Sequence, residues 1–458
     1  MPPWKRDGKS CKSQSGRITV ETLIDLKPFH TRVARSVTFR RMGKVKRVTG
    51  LVIESEGPPV SIGDLCHVYS HEGDSVIKGE VVGFKDSVFY IMPYGSMEGI
   101  APGCRVVSTG RPLKVPVGMN LQGRVINGVG EPIDGKGPIT GVEFYSTTGR
   151  IPPAMKRPRI KSAFHVGIKA VDSCLTLGMG QRVGIFSGSG VGKSTLLGMM
   201  ARGAESQLNV IALIGERGRE VREFIEESLG EEGLKRSVVV AVTSDEPALM
   251  RIKGAYTATA VAEYFREKGL SVLFMMDSIT RFAMAQREIG LSIGEPPTTK
   301  GYTPSVFTLL PRLMERTGMS AEGAITALYT VLVDADDFNE PISDACRSIL
   351  DGHIMLQRRL AAANHYPAID LLDSVSRLSV DVCTEEQLRL AKQMKELVSV
   401  YEEARDLINI GAYVSGSNPK IDEAISKIDA INAFLIQGIR EMCPFEETMM
   451  KFRAVFEK

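Results

Sequence analysis

The spacing of hydrophobic and polar positions changes along the chain, and each change predicts a different architecture. Residues 1–16 are rich in Lys, Ser and Gly and poor in apolar side chains. Such a segment has too little apolar surface to offset its chain entropy and is expected to be disordered. Over 18–41 the pattern becomes amphipathic, with Val20, Leu23, Ile24, Phe29, Val33 and Val37 as the apolar positions and Pro28 as an expected break. Over 45–117 short apolar runs (48–53, 65–69, 79–84, 88–92) are separated by turn residues such as Gly57-Pro58-Pro59, Gly63-Asp64 and Pro102-Gly103. Strands this short at this spacing predict a small β-barrel. Residues 121–159 are crowded with Gly and Pro and read as a linker. From 161 the rhythm shifts to apolar runs (182–186, 209–214, 238–242, 270–276) alternating with helical patterns. Runs so uniformly apolar suit strands buried on both faces, and the alternation predicts a parallel sheet with helical crossovers. Beyond 381 the chain turns charged, with helical spacing over 385–408 and 420–442.

These patterns give a segmentation. Residues 1–42 form a disordered and amphipathic N-terminal segment, 43–118 a barrel, 119–160 a linker, 161–380 an α/β core and 381–458 a helical domain. With 458 residues, several domains are required, since single cores stop growing at about 250–300 residues. Composition narrows the function classes. A net charge of +3 is small for this length and gives no general argument for nucleic acid or membrane binding. The 7 cysteines are scattered, and none shows the C-x-x-C spacing of a zinc or redox site, so reduced thiols in a cytosol are expected. The start of the chain is polar and basic, and no stretch reaches the roughly 18 apolar residues of a membrane span. Any membrane association is therefore expected to be peripheral.

The strongest local signal is Ser187-Gly188-Ser189-Gly190-Val191-Gly192-Lys193-Ser194-Thr195, set between the apolar run 183–186 and a helical stretch. Strand, glycine-rich loop and helix in that order are the context of a phosphate-binding P-loop. Glycines let backbone N–H groups close around phosphate oxygens, and the helix N-terminus adds partial positive charge. Lys193 reaches the β- and γ-phosphates, and the Ser194 hydroxyl is a hard ligand for Mg²⁺. The strict motif begins with glycine; Ser187 stands there and is small enough to be tolerated. The competing reading is an ordinary glycine-rich turn before Lys-Ser.

Two other apolar runs end in acids. One leads into Gly215-Glu216-Arg217 and another into Asp277-Ser278. Ligands of parallel α/β sheets bind at the carboxyl ends of the strands. Asp277 fits the acid that holds the Mg²⁺ shell through water, and Glu216 fits the base that orients the attacking water. A helix N-cap is the alternative for Asp277, and a surface ion pair with Arg217 or Arg219 is the alternative for Glu216.

Together with the P-loop, Gly215-Glu216-Arg217-Gly218-Arg219-Glu220, the 296–307 segment containing Pro-Pro-Thr-Thr-Lys-Gly-Tyr, and Ser348-Ile349-Leu350-Asp351-Gly352-His353-Ile354 resemble the ATPases of flagellar and type III protein export. That family is related to the catalytic subunit of rotary ATP synthases. The resemblance runs from about Gly43 to the C-terminus. It implies an α/β fold: a P-loop NTPase core with a mostly parallel, RecA-like sheet, an N-terminal small β-barrel and a C-terminal α-helical domain. It implies ATP as substrate with Mg²⁺, Tyr366 stacking on adenine, Arg377 as an arginine finger donated across a subunit interface, and Arg217 beside Glu216 near the γ-phosphate. A core tyrosine and a salt-bridged structural arginine are the alternatives for Tyr366 and Arg377.

The partners it implies are a homohexamer, a stator-like regulator at the N-terminus, a coiled-coil stalk protein in the ring pore, export substrates with their chaperones, and peripheral contact with the membrane export gate. The expected place is the cytoplasm, at the cytoplasmic face of the inner membrane. A flagellar motor is favoured over a virulence motor. A rotary synthase subunit, a non-catalytic regulatory subunit and a ring-shaped nucleic-acid translocase are the other readings. The barrel shows no basic–aromatic interleaving of the kind single-strand binding uses, so no nucleic-acid partner is expected.

Overall fold

The structure, a computed structural model, describes residues 42–457 except 72, 74, 334–336, 338 and 339, together with Phe29 and Arg32. Apart from those two positions, the expectations for 1–16 and 18–41 lie outside the described residues.

Six strands close the expected barrel: β1 (Met42–Thr49), β2 (Val52–Glu56), β3 (Leu65–Tyr69), β4 (Val76–Lys85), β5 (Val88–Pro93) and β6 (Arg105–Ser108), in the order β1-β2-β5-β4-β3-β6. Val45, Ile53, Cys66, Val68, Val81, Ile91 and Val106 fill it. Alternation along each strand sends every second residue inward. The run 48–53 is not one strand. Gly50 has φ +57, and Thr49 pairs back onto Val52, so the run is a hairpin.

The Gly/Pro-rich passage after the barrel is partly built into the core. β7 (Lys114–Val117) pairs with β9 (Glu143–Ser146), and between them β8 (Val125–Ile126) joins the edge of the central sheet. Leu121 and Ile126 are fully buried, and Arg124 grips Asp134 at 2.7 Å. A short pair, β10 (Ala163–Phe164) with β11 (Leu177–Gly178), leads into the core.

The central sheet has nine strands. They are β8, β12 (Arg182–Ser187), β13 (Leu208–Glu216), β14 (Ser237–Thr243), β15 (Ser271–Asp277), β16 (Gly318–Met319), β17 (Ala324–Leu332), β18 (Gly352–Leu356) and β19 (Ile369–Ser376). The path is β19-β18-β12-β17-β15-β13-β14-β8; all neighbours on it are parallel except β19 against β18, and β16 pairs antiparallel with β17 off the path. The uniform hydrophobicity of these strands has a direct cause. Val210, Ala212 and Ile214 feed one apolar core, while Ile211 and Leu213 feed the other. Helices Ala248–Glu267, Ile279–Ser292 and Pro304–Met314 cover the first face. Helix Lys193–Gly203 lies on the second, and Leu390, Met394, Phe434 and Phe452 of the C-terminal helices join that same core.

The C-terminal helices are Glu385–Asn409, Pro419–Leu435 and Phe445–Ala454. Thr384 and Asn418 cap the first two by accepting from Gln387 N and Lys420 N. The helix expected over 420–442 stops at Leu435. Ile436 is extended, and the next amide, Gln437 N, donates to Tyr366 O instead of continuing the helix. Residues 436–444 form a strap, not a continuation of the helix.

Candidate functional site

β12, β13 and β15 run parallel through the sheet, so their carboxyl ends share one edge. The P-loop leaves that edge after Ser187. Gly190 and Gly192 have φ of +77 and +88, a left-handed backbone that residues with a Cβ rarely adopt. Val191 is buried and pins the loop to the core, whereas Ser189, Gly190 and Ser194 are exposed. Gly188 is buried, Thr195 is half-buried, and Lys193 opens helix Lys193–Gly203. Ser187 is fully buried as the last residue of β12, and its hydroxyl has no hydrogen-bond partner among the described residues.

The two strand-end acids converge on Lys193. Its Nζ lies 2.5 Å from Asp277 Oδ1 and 3.8 Å from Glu216 Oε1. Thr330 Oγ1 also donates to Asp277 Oδ1 at 2.7 Å. Helix Ile279–Ser292 is capped by Ser278, whose side chain accepts from Arg281 N, so Asp277 is not its N-cap. Nor does Glu216 pair with Arg217 or Arg219; these bond Glu220 and Glu223. Glu216 Oε1 is buried and accepts no hydrogen bond. Burial, and after it the Asp277 charge, pushes the Glu216 carboxyl up to about 7, while Lys193 pulls the other way. Burial opposes the Lys193 ammonium, yet Asp277 and Glu216 together hold its pKa above the ordinary lysine value. A carboxyl that titrates near neutrality, with a buried oxygen free to accept, is suited to polarising a water.

Arg281 was not expected from the motifs. It stands in the first turn of helix Ile279–Ser292, just past the strand that ends in Asp277, and no motif in the sequence marks it. Its Nε is buried without a hydrogen-bond partner, its Nη1 donates to the Met284 sulfur at 3.9 Å, and its charge acts on both Lys193 and Glu216. A guanidinium with a free buried donor beside a P-loop suits an anion. Arg217, by contrast, is turned outward: its side chain is 80% exposed and held by Glu220 at 3.1 Å.

On the other side of the loop, the Tyr366 ring stands so close to Gly192 that a Cβ there would come within 3.3 Å of it. Tyr366 is 38% exposed and lines a cleft of about 430 Å³. Leu196 and Met199 of the P-loop helix form one wall, and Ile436, Gly438 and Ile439 of the strap form another. An apolar slot with an aromatic face next to a phosphate loop fits a nucleobase.

A divalent cation held with a triphosphate needs hard oxygen donors beside the loop. The exposed Ser194 hydroxyl and the Asp277 carboxylate supply them. Among the described residues no group of three His, Cys, Asp or Glu side chains is placed to hold a metal ion alone. The donor set thus fits Mg²⁺ carried in part by phosphate oxygens.

Arg377 is not at this edge. It follows β19, whose end pairs Ser376 with Gly352, at the start of β18. The P-loop lies beyond Leu356, at the other end of that strand, since Ser187 pairs with Leu356. Four residues of strand put Arg377 about 13 Å or more from its own P-loop. The Arg377 side chain is exposed and, among the described residues, bonds the Arg347 carbonyl alone, at 3.3 Å.

Comparison with known proteins adds a family. A model described as the ATP synthase alpha/beta family, nucleotide-binding domain, matches residues 167–376. The beta-barrel domain of the same family matches 45–110, and the T3SS EscN ATPase C-terminal domain matches 383–454. A flagellum-specific ATP synthase of Bacillus subtilis is 58% identical over 90% of this chain and 94% of its own length. A type 3 secretion system ATPase of Xanthomonas euvesicatoria is 49% identical over 90% of this chain and 93% of its own. The solved structure of the assembled ATPase EscN from the enteropathogenic E. coli type III secretion system matches with a TM-score of 0.86 at 42% identity, covering 90% of this chain and 99% of that one. EscN in complex with its central stalk EscO matches with a TM-score of 0.84, at the same 42% identity and with the same coverage of 90% and 99%.

Proposed function

Because the chain belongs to the ATP synthase alpha/beta family, in the part that holds the flagellar and type III secretion ATPases, we propose that it is the homohexameric ATPase of a flagellar protein export apparatus. ATP hydrolysis for type III export is the activity of the family. The flagellar assignment takes its support from the 58% identity to the flagellum-specific Bacillus subtilis protein; other flagellum-specific relatives, at 45–50%, and secretion ATPases, at 45–49%, are alike in identity.

The observation that carries the mechanism is the meeting of Lys193, Glu216 and Asp277 at one edge, with Arg377 at the other. Loop amides and Lys193 hold the phosphates. Arg281 adds positive charge beside them. Ser194 and Asp277 would hold Mg²⁺, which would supply positive charge against the phosphate oxygens. Glu216 accepts a hydrogen bond from the attacking water and takes its proton as the water oxygen bonds the γ-phosphorus and the bond from that phosphorus to the bridging oxygen breaks, releasing ADP and phosphate. Tyr366 stacks on the base. Arg377 of a neighbouring subunit approaches the γ-phosphate and stabilises the charge that develops there.

The EscN–EscO complex supports a stalk partner for this chain too. A regulator at the N-terminus, substrates with chaperones, and docking at the cytoplasmic face of the membrane complete the reading. No helix among the described residues is long and apolar enough to cross a membrane, which is consistent with a peripheral contact. The test is made in the native host: Glu216→Gln at the chromosomal locus should abolish export of filament protein while the chain still accumulates. Unchanged filament export, with loss of some other type III secreted protein, would overturn the flagellar assignment.

A further inference from the structure

Gln437 is 3% exposed, although it belongs to an irregular strap. Its side chain is fully engaged. Oε1 accepts from Lys169 N at 2.9 Å, and Nε2 donates to Gly167 O at 2.8 Å and to Glu441 O at 3.1 Å. Its backbone N donates to Tyr366 O at 2.9 Å. One residue therefore ties together the segment before helix Lys169–Cys174, the strap, and the tyrosine that faces the P-loop. The strap is fastened at further points: Lys169 Nζ donates to Ile436 O at 2.7 Å, Arg202 Nη2 to Ile439 O at 2.6 Å, and Gly438 N to Glu441 Oε2 at 2.9 Å.

Apart from the buried Cys443, the strap's apolar side chains do not serve the core. Ile436 and Ile439 are 43% and 59% exposed, and both line the cleft beside Tyr366. Docking of the C-terminal helices rests on other residues, Leu390, Met394, Phe434 and Phe452, which are buried with the P-loop helix. Loss of the Gln437 side-chain amide would unfasten the strap from Gly167 and Lys169, so that the remaining backbone bond to Tyr366 O is held by a looser segment, without undocking those helices.

We propose that Gln437 is a positioning residue for the nucleotide base: by fixing the strap to the segment before helix Lys169–Cys174, it sets the strap and Tyr366 as the two walls of the base cleft. The proposal rests on the reading of Tyr366 as the base contact. Gln437 acts through its neighbours, and its effect falls on binding of the base, not on the phosphate chemistry at the opposite side of the loop.

The test uses the full chain and two ligands, ATP and inorganic tripolyphosphate, which offers phosphates without a base. In Gln437→Ala the KM for ATP should rise about tenfold, the equivalent of roughly one lost buried hydrogen bond, with kcat at saturation kept within about threefold. The inhibition constant of tripolyphosphate should stay within about twofold, because the loop amides and Lys193 are untouched. A general loss of structure would weaken both ligands together, and that result overturns the proposal. Combined with Tyr366→Ala, the Gln437 change should add less than about twofold, because the two act on one contact. If Gln437→Ala does not fold, Glu441→Ala loosens the strap from its half-exposed end and should raise the ATP KM about threefold, again sparing tripolyphosphate. An unchanged KM in Gln437→Ala, alongside a raised one in Tyr366→Ala, defeats the Gln437 assignment. An unchanged KM in Tyr366→Ala defeats the base-cleft reading beneath it.

Discussion

At the scale of single residues, the proposed mechanism turns on the protonation of Glu216. The folded chain raises this carboxyl from 4.5 to about 7, chiefly by burial. A base acts only when deprotonated. The acid limb of kcat/KM, which reports the free enzyme, should therefore bend near pH 7 and fall about tenfold per unit below it. Glu216→Gln should lower kcat by at least about 10²-fold and abolish that limb, while a fluorescent ATP analogue still binds. An acid limb that survives in the glutamine variant would move the base role elsewhere. The same shift has a stability consequence. A carboxyl whose folded pKa is raised stabilises the fold below its unfolded value and loses that contribution as pH rises through the folded value. Glu216→Gln should thus melt higher than the parent at pH 8, with the difference vanishing as pH falls well below the unfolded value of 4.5, where both states are protonated. Motif reading reached Lys193, Glu216 and Asp277 because each follows an apolar strand in sequence. Arg281 escaped it because a lone arginine inside a helix carries no motif, and its role depends on the burial that folding gives it.

At the scale of elements, the barrel is joined to the core by a buried charge. Lys253, on helix Ala248–Glu267, lies 2.6 Å from Glu80 of β4, and Tyr94 donates to the same carboxylate at 2.8 Å. All three residues are less than 9% exposed. Removing one member of such a pair strands the other charge in a dry environment, whereas removing both leaves little to desolvate. Lys253→Met should therefore cost about 3 kcal/mol, read as a lower urea midpoint, and the double variant Lys253→Met with Glu80→Gln should regain most of it. Equal losses in the single and double variants would show that the pair is not coupled. No spacing rule announces this contact, because its two ends lie more than 170 positions apart. The same limit explains the other elements that sequence reading drew differently. The 48–53 run looked continuous because its turn, at Gly50, interrupts it with a single glycine. β8 was hidden in a Gly/Pro-rich passage because two residues are enough to extend a sheet edge. The helix ending at Leu435 was drawn too long because Ile436, Ile439 and Met442 keep helical spacing, while the hydrogen bond that ends it goes to Tyr366, far away in sequence. Parallel strands and their order of alternation were legible, since burial on both faces writes itself into uniform hydrophobicity.

At the scale of the whole molecule, the position of Arg377 is the decisive constraint. It stands at the amino edge of the sheet, one strand length from its own P-loop, so a single chain cannot use it on its own nucleotide. A closed ring of identical subunits with head-to-tail contacts brings that edge of one chain to the P-loop edge of the next, and every interface is then equivalent. Two variants separate this arrangement from a structural arginine. Lys193→Ala loses phosphate contact within its own chain, and Arg377→Ala loses only what it gives to a neighbour, so the second should still bind ATP as a monomer. Each alone should be nearly inactive, with Arg377→Ala slower by about 10³-fold or more. Mixed in equal amounts, they form some interfaces that pair the intact loop of an Arg377→Ala chain with the intact arginine of a Lys193→Ala chain. Those interfaces should hydrolyse ATP, and the activity regained should rise and then fall as the mixing ratio passes through equality. The per-chain rate of the parent should also climb more steeply than linearly with concentration until rings are complete. Full activity in parent monomers held below the assembly concentration would leave Arg377 no role in a neighbour's site, and its hydrogen bond to the Arg347 carbonyl would then be the whole of its function.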